Sequence, residues 1–162
     1  MEGVVVVIKN LIDKLIYGGD KKLREYEVVV LRAFRDTLNE EQKNILDRQI
    51  KLLGKVQRWH GGKVTAFFDV NDEMKEFWPQ DIALFPDKEV VAKMQVIIGE
   101  RKATAKIEFY KGYLLYINFS QDMDLFGKEV RKSVGNIGDF LEIQLKGECQ
   151  VNKVKTMFSN VE

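Results

Sequence analysis

Two residues of this chain could together form a nucleophilic pair: the single histidine, His60, and the single cysteine, Cys149. A cysteine attacks as its thiolate, and a neighbouring imidazole can accept the proton from the thiol. The two residues belong to distant segments, and nothing in the sequence brings them together. His60 precedes Gly61-Gly62, which is typical of an exposed turn, so we expect no catalytic pair.

Two acidic segments could hold a cation, but neither fits the calcium loop of an EF-hand. That loop needs glycine at its sixth position and a bidentate glutamate at its twelfth. In a loop that begins at Asp69 these positions are Met74 and Gln80, and in a loop that begins at Asp122 the twelfth position is Ser133. One histidine and one cysteine are too few for an ordinary zinc site. The sequence therefore predicts no metal ion and no cofactor.

Nucleotide and nucleic-acid motifs are weak in this sequence. The Gly61–Lys63 segment lacks the spacing of a P-loop and its following serine or threonine. Three tyrosines flank Lys111 and could stack on bases: Tyr110, Tyr113 and Tyr116. The alternation of the strand places Tyr113 on the apolar face, however. The net charge of +1 provides no strong field for phosphate or membrane, so we expect neither nucleic acid nor membrane as a partner.

Length and composition indicate one domain with its own core. At 162 residues the chain can bury a core without disulfide staples. The single cysteine cannot form an internal disulfide, so nothing requires an oxidising compartment. The first apolar run, Val4–Ile8, is only five residues long and follows no basic segment. It resembles neither a signal peptide nor a membrane span, and we expect a cytoplasmic protein.

Strict alternation of apolar and polar residues predicts a three-strand antiparallel meander over Val90–Phe119. One side of its central strand is apolar (Ala103, Ala105, Ile107, Phe109), and the other side is polar. An antiparallel sheet with one apolar face must pack that face against another layer. The meander is thus the feature that fixes the fold class.

The register of the meander can be predicted from its loops. A three-residue loop at Tyr110–Gly112 sets Ile107 opposite Leu115, and a four-residue loop at Gly99–Lys102 joins the first two strands. Both loops keep apolar residues opposite apolar residues. A two-residue Lys111-Gly112 turn would set apolar against polar residues along the whole ladder, so we reject it.

Helical spacing of apolar residues predicts helices in the first third of the chain. They are 4–15, whose β-branched start could instead be a strand, Lys21–Thr37, and a helix that begins after Asn39. Asn39 and Gln42 have the types and spacing of a capping box. Gly54 is a plausible end for this third helix, although the helix could continue to Arg58.

The remaining elements complete an α+β prediction. Strands are predicted at Lys63–Val70 and Asp139–Lys146, the segment 71–87 is predicted to be irregular, and Asn71 could cap a short helix there. We expect N-terminal helices packed on one face of a mostly antiparallel, meander-type sheet. The predicted single domain, 1–162, comprises a helical region over residues 1–57, a sheet region over residues 58–146 and a tail over residues 147–162.

Charge is unevenly distributed along the chain. The segment Asp69–Glu89 contains seven acidic and two basic residues, a local net charge of −5, together with several aromatic side chains. Aromatic anchors inside an acidic rim suit a protein partner, and a basic one in particular. A plainer interpretation is that the rings pack a long loop onto the sheet. The predicted protein-binding residues are Asp72, Glu73, Glu76, Phe77, Trp78, Asp81 and Phe85.

These observations predict a small, non-enzymatic protein-binding domain. Its size, its lack of catalytic motifs and its acidic, aromatic segment are similar to those of small bacterial immunity proteins, which neutralise a secreted toxin. The resemblance implies a protein partner, and such a partner could be basic. The alternative is a domain that binds or converts a small ligand in a pocket between the helices and the sheet, beneath Met94, Phe109 and Phe119.

Overall fold

The computed structural model describes residues 20–71 and 73–158, and in them the predicted α+β fold is confirmed. Helices α1 (Glu25–Asp36) and α2 (Glu40–Leu52) pack with a six-stranded antiparallel sheet of order β2-β3-β6-β5-β4-β8. Its strands are β2 (Leu53–Trp59), β3 (Val64–Asp69), β4 (Val90–Ile98), β5 (Arg101–Tyr110), β6 (Tyr113–Phe119) and β8 (Cys149–Thr156). A small second sheet pairs β1 (Lys22–Arg24) with β7 (Ser133–Asn136). The helix predicted at 4–15 lies outside the described residues.

Helix α1 covers one face of the large sheet because its apolar residues recur every four positions. Tyr26 packs edge-on against Phe119 with ring centroids 5.1 Å apart, and Phe34 packs against Phe109 at 5.8 Å. Polar groups join the same layers. Glu27 is fully buried, and its carboxylate accepts hydrogen bonds from Arg58 and Thr65 on the sheet. The core is therefore the layer between α1 and the face of the large sheet that α1 covers.

Helix α2 begins as predicted and ends earlier than one predicted alternative. The Asn39 side chain accepts from the Gln42 backbone N–H at 2.8 Å, and the Gln42 side chain accepts from the Asn39 N–H at 3.0 Å. The chain enters β2 directly after Leu52, so the extension to Arg58 and a helical region that reaches residue 57 are wrong. A bulge after Leu53 sets Leu53 and Val56 both inward at a spacing of three, which imitates a helix.

The meander and its buried face are confirmed, but its predicted register is wrong. The β5–β6 connection is the two-residue Lys111-Gly112 turn, with φ of 49° and 92°. A bulge follows at once, and Leu115 is the extra residue that restores the alternation. Ile107 therefore lies opposite Ile117, and the apolar faces still coincide. The short turn would set apolar against polar residues only in a ladder without a bulge, and the bulge at Leu115 removes that conflict.

The first hairpin is also tighter than predicted. Ile98 pairs with Arg101 across a two-residue turn, and Met94 lies opposite Ala105 instead of Ile107. The shift is two residues, so each side chain keeps its predicted face.

The C-terminal part of the sheet differs from the prediction. Asp139–Lys146 is not a strand, because Ile137–Glu142 forms 3-10 turns, and Leu141 is half exposed. The last strand is β8, which lies inside the predicted tail and pairs with β4. An irregularity in that pairing and a positive φ at Lys153 break the alternation of β8, so the sequence pattern there is weak. From its pattern, the segment Gln121–Gly138 is predicted as loop with one possible helical turn. The structure has such a turn, the 3-10 helix Met123–Phe126, and in addition the strand β7.

Candidate functional site

The irregular segment after β3 is confirmed as irregular, and a buried lysine anchors it. Two short 3-10 helices, Lys75–Phe77 and Gln80–Ile82, interrupt this segment. The Lys75 ammonium points inward, donating to the Phe67 carbonyl of β3 at 2.8 Å and to the Leu114 carbonyl of β6. The paired residues of β3 and β6 end at Ala66. Lys75 thus joins the two strands just beyond the point where their own pairing stops.

Burial changes the chemistry of this lysine. Removal from water lowers the pKa of Lys75 to about 7, and the negative charge of Asp69 only partly opposes that effect. The two backbone carbonyls accept hydrogen bonds from an amine in either protonation state. Lys75 therefore bridges the two strands, and its pKa is well below that of an exposed lysine.

Asp69, at the end of β3, organises the turn that follows. Its Oδ1 accepts from the backbone N–H of Asn71 at 2.7 Å and of Glu73 at 3.3 Å, and its Oδ2 accepts from the indole of Trp78 at 2.7 Å. A short helix does end at Phe77, but Asn71 does not cap it, because the helix begins at Lys75 and the Asp69 carboxylate forms a local turn at Asn71. One buried carboxylate holds both ends of the Asn71–Trp78 stretch.

Helix α2 and the β5–β6 hairpin hold the second half of the segment. The buried Gln49 amide donates to the carbonyls of Ile82 at 2.5 Å and Gly112 at 2.8 Å, and it accepts from the Leu114 N–H at 2.9 Å. The Tyr113 hydroxyl donates to the Trp78 carbonyl at 3.3 Å. The segment is therefore tied to the hairpin by several independent bonds.

This anchoring turns apolar side chains outward. Phe77 is 75% exposed and Met74 is 59% exposed, whereas Lys75 between them is buried. Tyr110, at the adjacent hairpin, is 40% exposed, and its hydroxyl donates to the Glu76 carboxylate at 3.5 Å. We call Glu73, Met74, Glu76, Phe77 and Tyr110 the Phe77 surface. It joins apolar side chains to two exposed carboxylates.

Of the predicted binding residues, Glu73, Glu76 and Phe77 are exposed and belong to the Phe77 surface. Trp78 does not, because it is only 4% exposed and packs against Tyr113 with ring centroids 5.4 Å apart. The structure thus corrects its predicted exposure, and the plainer packing interpretation holds for Trp78.

The other predicted residues lie elsewhere. Phe85 is half buried and stacks on Phe158 at 4.0 Å, so it packs the chain end rather than facing outward. Asp81 is exposed and pairs with Arg48 at 3.2 Å. Asp72 lies outside the described residues.

The structure also adds two residues that the sequence analysis missed. The exposure of Met74 was not visible in the sequence, because it depends on the inward turn of Lys75. Tyr110 was considered only as a base-stacking group. The sequence did indicate a hairpin turn close to Tyr110, and a residue beside such a turn lies at the end of the hairpin.

The residues considered for catalysis remain apart. His60 is exposed in the turn after β2, and Cys149 begins β8. These strands form opposite edges of the sheet, and five strand spacings separate them by about 24 Å. Burial raises the pKa of Cys149 to about 12, with a further contribution from Glu25.

Among residues 20–71 and 73–158, no group of three or more His, Cys, Asp or Glu could hold a metal ion.

The space proposed for a small ligand is filled by side chains. Met94, Phe109 and Phe119 are all buried, and both phenylalanine rings pack against α1. No structural observation in this layer of the described chain favours the ligand-binding alternative, which stays a prediction.

Comparisons with known proteins add no assignment: no family model, no curated protein and no solved structure matches this chain. Within the described stretches of the chain, no helix is both long and apolar enough to cross a membrane.

Proposed function

We propose that the protein is a non-enzymatic binding domain that recognises a protein partner through the Phe77 surface. The observation that carries this proposal is an inversion of polarity within four residues. In Met74–Phe77 the lysine is buried and the phenylalanine is exposed. Lysine is almost never buried, and a large aromatic side chain ordinarily gains from burial.

The inversion is stable because the surrounding contacts hold it. Lys75 bridges β3 and β6, and Asp69 and Gln49 fix the chain on either side. The ring of Phe77 is thus displayed from a fixed backbone, so a partner does not have to order it. Pre-ordered aromatic anchors are the residues that contribute most to protein interfaces.

The chemistry of the partner follows from the rim. Glu73 and Glu76 lie four residues and one residue before Phe77 in the chain, and both are exposed. A matching partner offers an apolar pocket for Phe77 bordered by lysine or arginine, which would also accelerate encounter. Such a partner is consistent with an immunity-type role, in which the domain neutralises a basic toxin.

Affinity capture with matched variants tests the proposal. The baits are the wild type, Phe77→Ser, Glu76→Lys and the control Leu125→Ser, since Leu125 is 71% exposed in another 3-10 helix. All three side chains are exposed, so each substitution should alter the free energy of unfolding by less than about 0.5 kcal/mol.

We expect the wild type and Leu125→Ser to retain one protein from the source cells. Phe77→Ser and Glu76→Lys should not retain it. The captured protein is then expressed alone and together with each variant. Toxicity relieved by the wild type but not by Phe77→Ser would support the immunity-type role. Equal capture by all four baits would refute the proposed surface.

A further inference from the structure

Strands β5, β4 and β8 of the large sheet carry basic side chains on the side that faces away from the helices. Ala105 of β5 and Met94 of β4 are buried and point toward the helices. Because neighbouring residues of a strand alternate, Lys106 and Lys93 point to the opposite side. Lys106 is exposed there, and Lys93 is half buried. We call this side of the three strands the outer face.

Three lysines cross the outer face in register. Lys106 is paired directly with Lys93, and Lys93 is paired directly with Lys155 of β8. Side chains opposite one another in an antiparallel ladder have Cβ atoms about 5 Å apart, and like charges in these positions repel. We call Lys106, Lys93 and Lys155 the lysine row. Carboxylates of another molecule placed over the row would relieve its repulsion.

Hydroxyl groups beside the lysine row add further donors. A recess of about 280 Å³ is lined by Lys106, Thr104 and Ser120, and all three are exposed. The Ser120 hydroxyl oxygen accepts from the Thr104 backbone N–H at 2.9 Å, so the hydroxyl hydrogen is available for another acceptor. Glu108 lines the recess as well, but its carboxylate accepts from the Asn118 amide at 3.4 Å. The ammonium and hydroxyl groups are thus suited to carboxylates from outside.

The Phe77 surface adjoins the same side of β5. Phe109 is buried, so the next residue, Tyr110, points to the side of Lys106. Tyr110 belongs to the Phe77 surface, and its hydroxyl donates to the Glu76 carboxylate at 3.5 Å. Lys106 and Tyr110 are four residues apart on β5, which is about 14 Å along a strand. An acidic patch and a basic patch therefore lie beside each other on one side of the sheet.

Two such patches side by side make the surface complementary to itself. A two-fold axis parallel to the sheet and midway between the patches brings the Glu76 carboxylate of each copy over the lysine row of the other. An isologous contact of this kind forms twice in one dimer, so the assembly closes and does not grow into a chain. Any other orientation of two copies sets like charges opposite each other, which complementary surfaces avoid.

We propose that the chain pairs with a second copy of itself, with the Phe77 surface of each copy on the lysine row of the other. Charge complementarity carries the inference: the exposed carboxylates of Glu73 and Glu76 meet three lysines that repel one another in the free chain. The dimer is weak, because exposed ion pairs contribute little and are screened by salt. It covers the Phe77 surface at high protein concentration, and at low concentration it leaves that surface free for the partner of the proposed function.

Sedimentation equilibrium of the purified full chain, from micromolar to millimolar concentration, tests the pairing. The row variant carries Lys106→Glu and Lys155→Glu, and the surface variant carries Glu73→Lys and Glu76→Lys. All four side chains are exposed, and Lys155→Glu also removes a repulsion with Lys93, so both variants should fold. Circular dichroism melting verifies that they do.

We expect the wild type to show an equilibrium between monomer and dimer at low salt, and high salt should weaken its dimer. The dissociation constant of each variant alone should be at least about tenfold larger, because like charges then face each other. An equimolar mixture of the row variant and the surface variant should dimerise about as tightly as the wild type, since opposite charges are again in contact.

A control variant with Lys21→Glu and Lys128→Glu has the same net charge as the row variant, but both positions are exposed and lie outside the strands of the large sheet. Alone, it should dimerise within about threefold of the wild type. Mixed with the surface variant, it should dimerise more weakly than the row variant does. Equal recovery in the two mixtures would show that net charge is the cause, and it would overturn the proposal.

A wild type that is monomeric at every concentration, or a mixture of variants without recovery, would overturn the proposal. Wild-type assemblies that grow beyond a dimer would overturn the two-fold arrangement. Calorimetric titration with tripolyphosphate examines the other occupant: if a monomeric wild type binds it and the row variant does not, the lysine row serves an anion and not a second copy. These measurements contain no other protein, so the pairing can fail while capture of a partner by the Phe77 surface succeeds, and the reverse.

Discussion

Single side chains with an unexpected location decide the chemistry of this molecule. Lys75 is buried between two strands, while Phe77, two residues on, faces outward. Sequence reasoning could identify Phe77 and the acidic residues beside it, because aromatic and acidic types are visible in the segment. It could not place Lys75 or Trp78, because their burial depends on carbonyls and rings supplied by distant strands.

The titration of Lys75 gives a prediction for stability against pH. The pKa of Lys75 is about 7 in the folded chain and about 10.4 in an unfolded one. Between these values the unfolded state binds more protons, so the free energy of unfolding rises with pH. The rise due to Lys75 should not exceed about 1.4 kcal/mol per pH unit.

Urea unfolding of the wild type and Lys75→Met between pH 7 and pH 10 measures this effect, with Lys88→Met as a control at an exposed lysine. We expect the free energy of unfolding of the wild type to rise with pH relative to that of Lys75→Met. The Lys88→Met control should follow the wild type. Parallel curves for Lys75→Met and the wild type would show that Lys75 does not titrate in this range.

At the level of elements, local signals predicted helices and faces better than register. The capping box of α2 and the apolar face of the meander are local patterns, and both are confirmed. The register depended on a bulge at Leu115, and β2 was disguised by a bulge after Leu53. A bulge changes the spacing of inward residues by one, so periodicity alone cannot reveal it.

The β5–β6 turn gives a prediction at this scale. Gly112 has φ of 92°, and a Cβ there would lie 2.8 Å from the Cβ of Ala83. Gly99, in the β4–β5 turn, has φ of 62°, but a Cβ added there would meet no heavy atom within 4 Å. Gly99→Ala should therefore cost only the backbone strain of about 1 kcal/mol, whereas Gly112→Ala adds a steric clash.

Thermal and urea unfolding of both glycine variants measure the difference. Gly112→Ala should be the less stable variant, and it should also weaken partner capture, since the Gly112 carbonyl binds Gln49 and the hairpin supports the Phe77 surface. Equal losses in the two variants would contradict the close approach of Ala83 to the turn.

At the level of the whole molecule, a net charge of +1 conceals two surfaces of opposite sign. Exposed acidic residues precede Phe77 in the chain, and three lysines paired in register, Lys106, Lys93 and Lys155, cross the large sheet. The acidic residues near Phe77 are neighbours in the sequence and were therefore predictable. The lysine row was not, because Lys106, Lys93 and Lys155 come from three strands whose pairing the sequence did not determine.

Site-specific photocrosslinking tests the central claim, that Phe77 is the anchor for a protein partner, most directly. Benzoylphenylalanine replaces Phe77 in one variant and Leu125 in the other, because both side chains are largely exposed. After irradiation in the source cells, we expect a single protein adduct of defined mass at position 77 and none of that mass at 125. The same adducts at both positions, or none at position 77, would contradict the account.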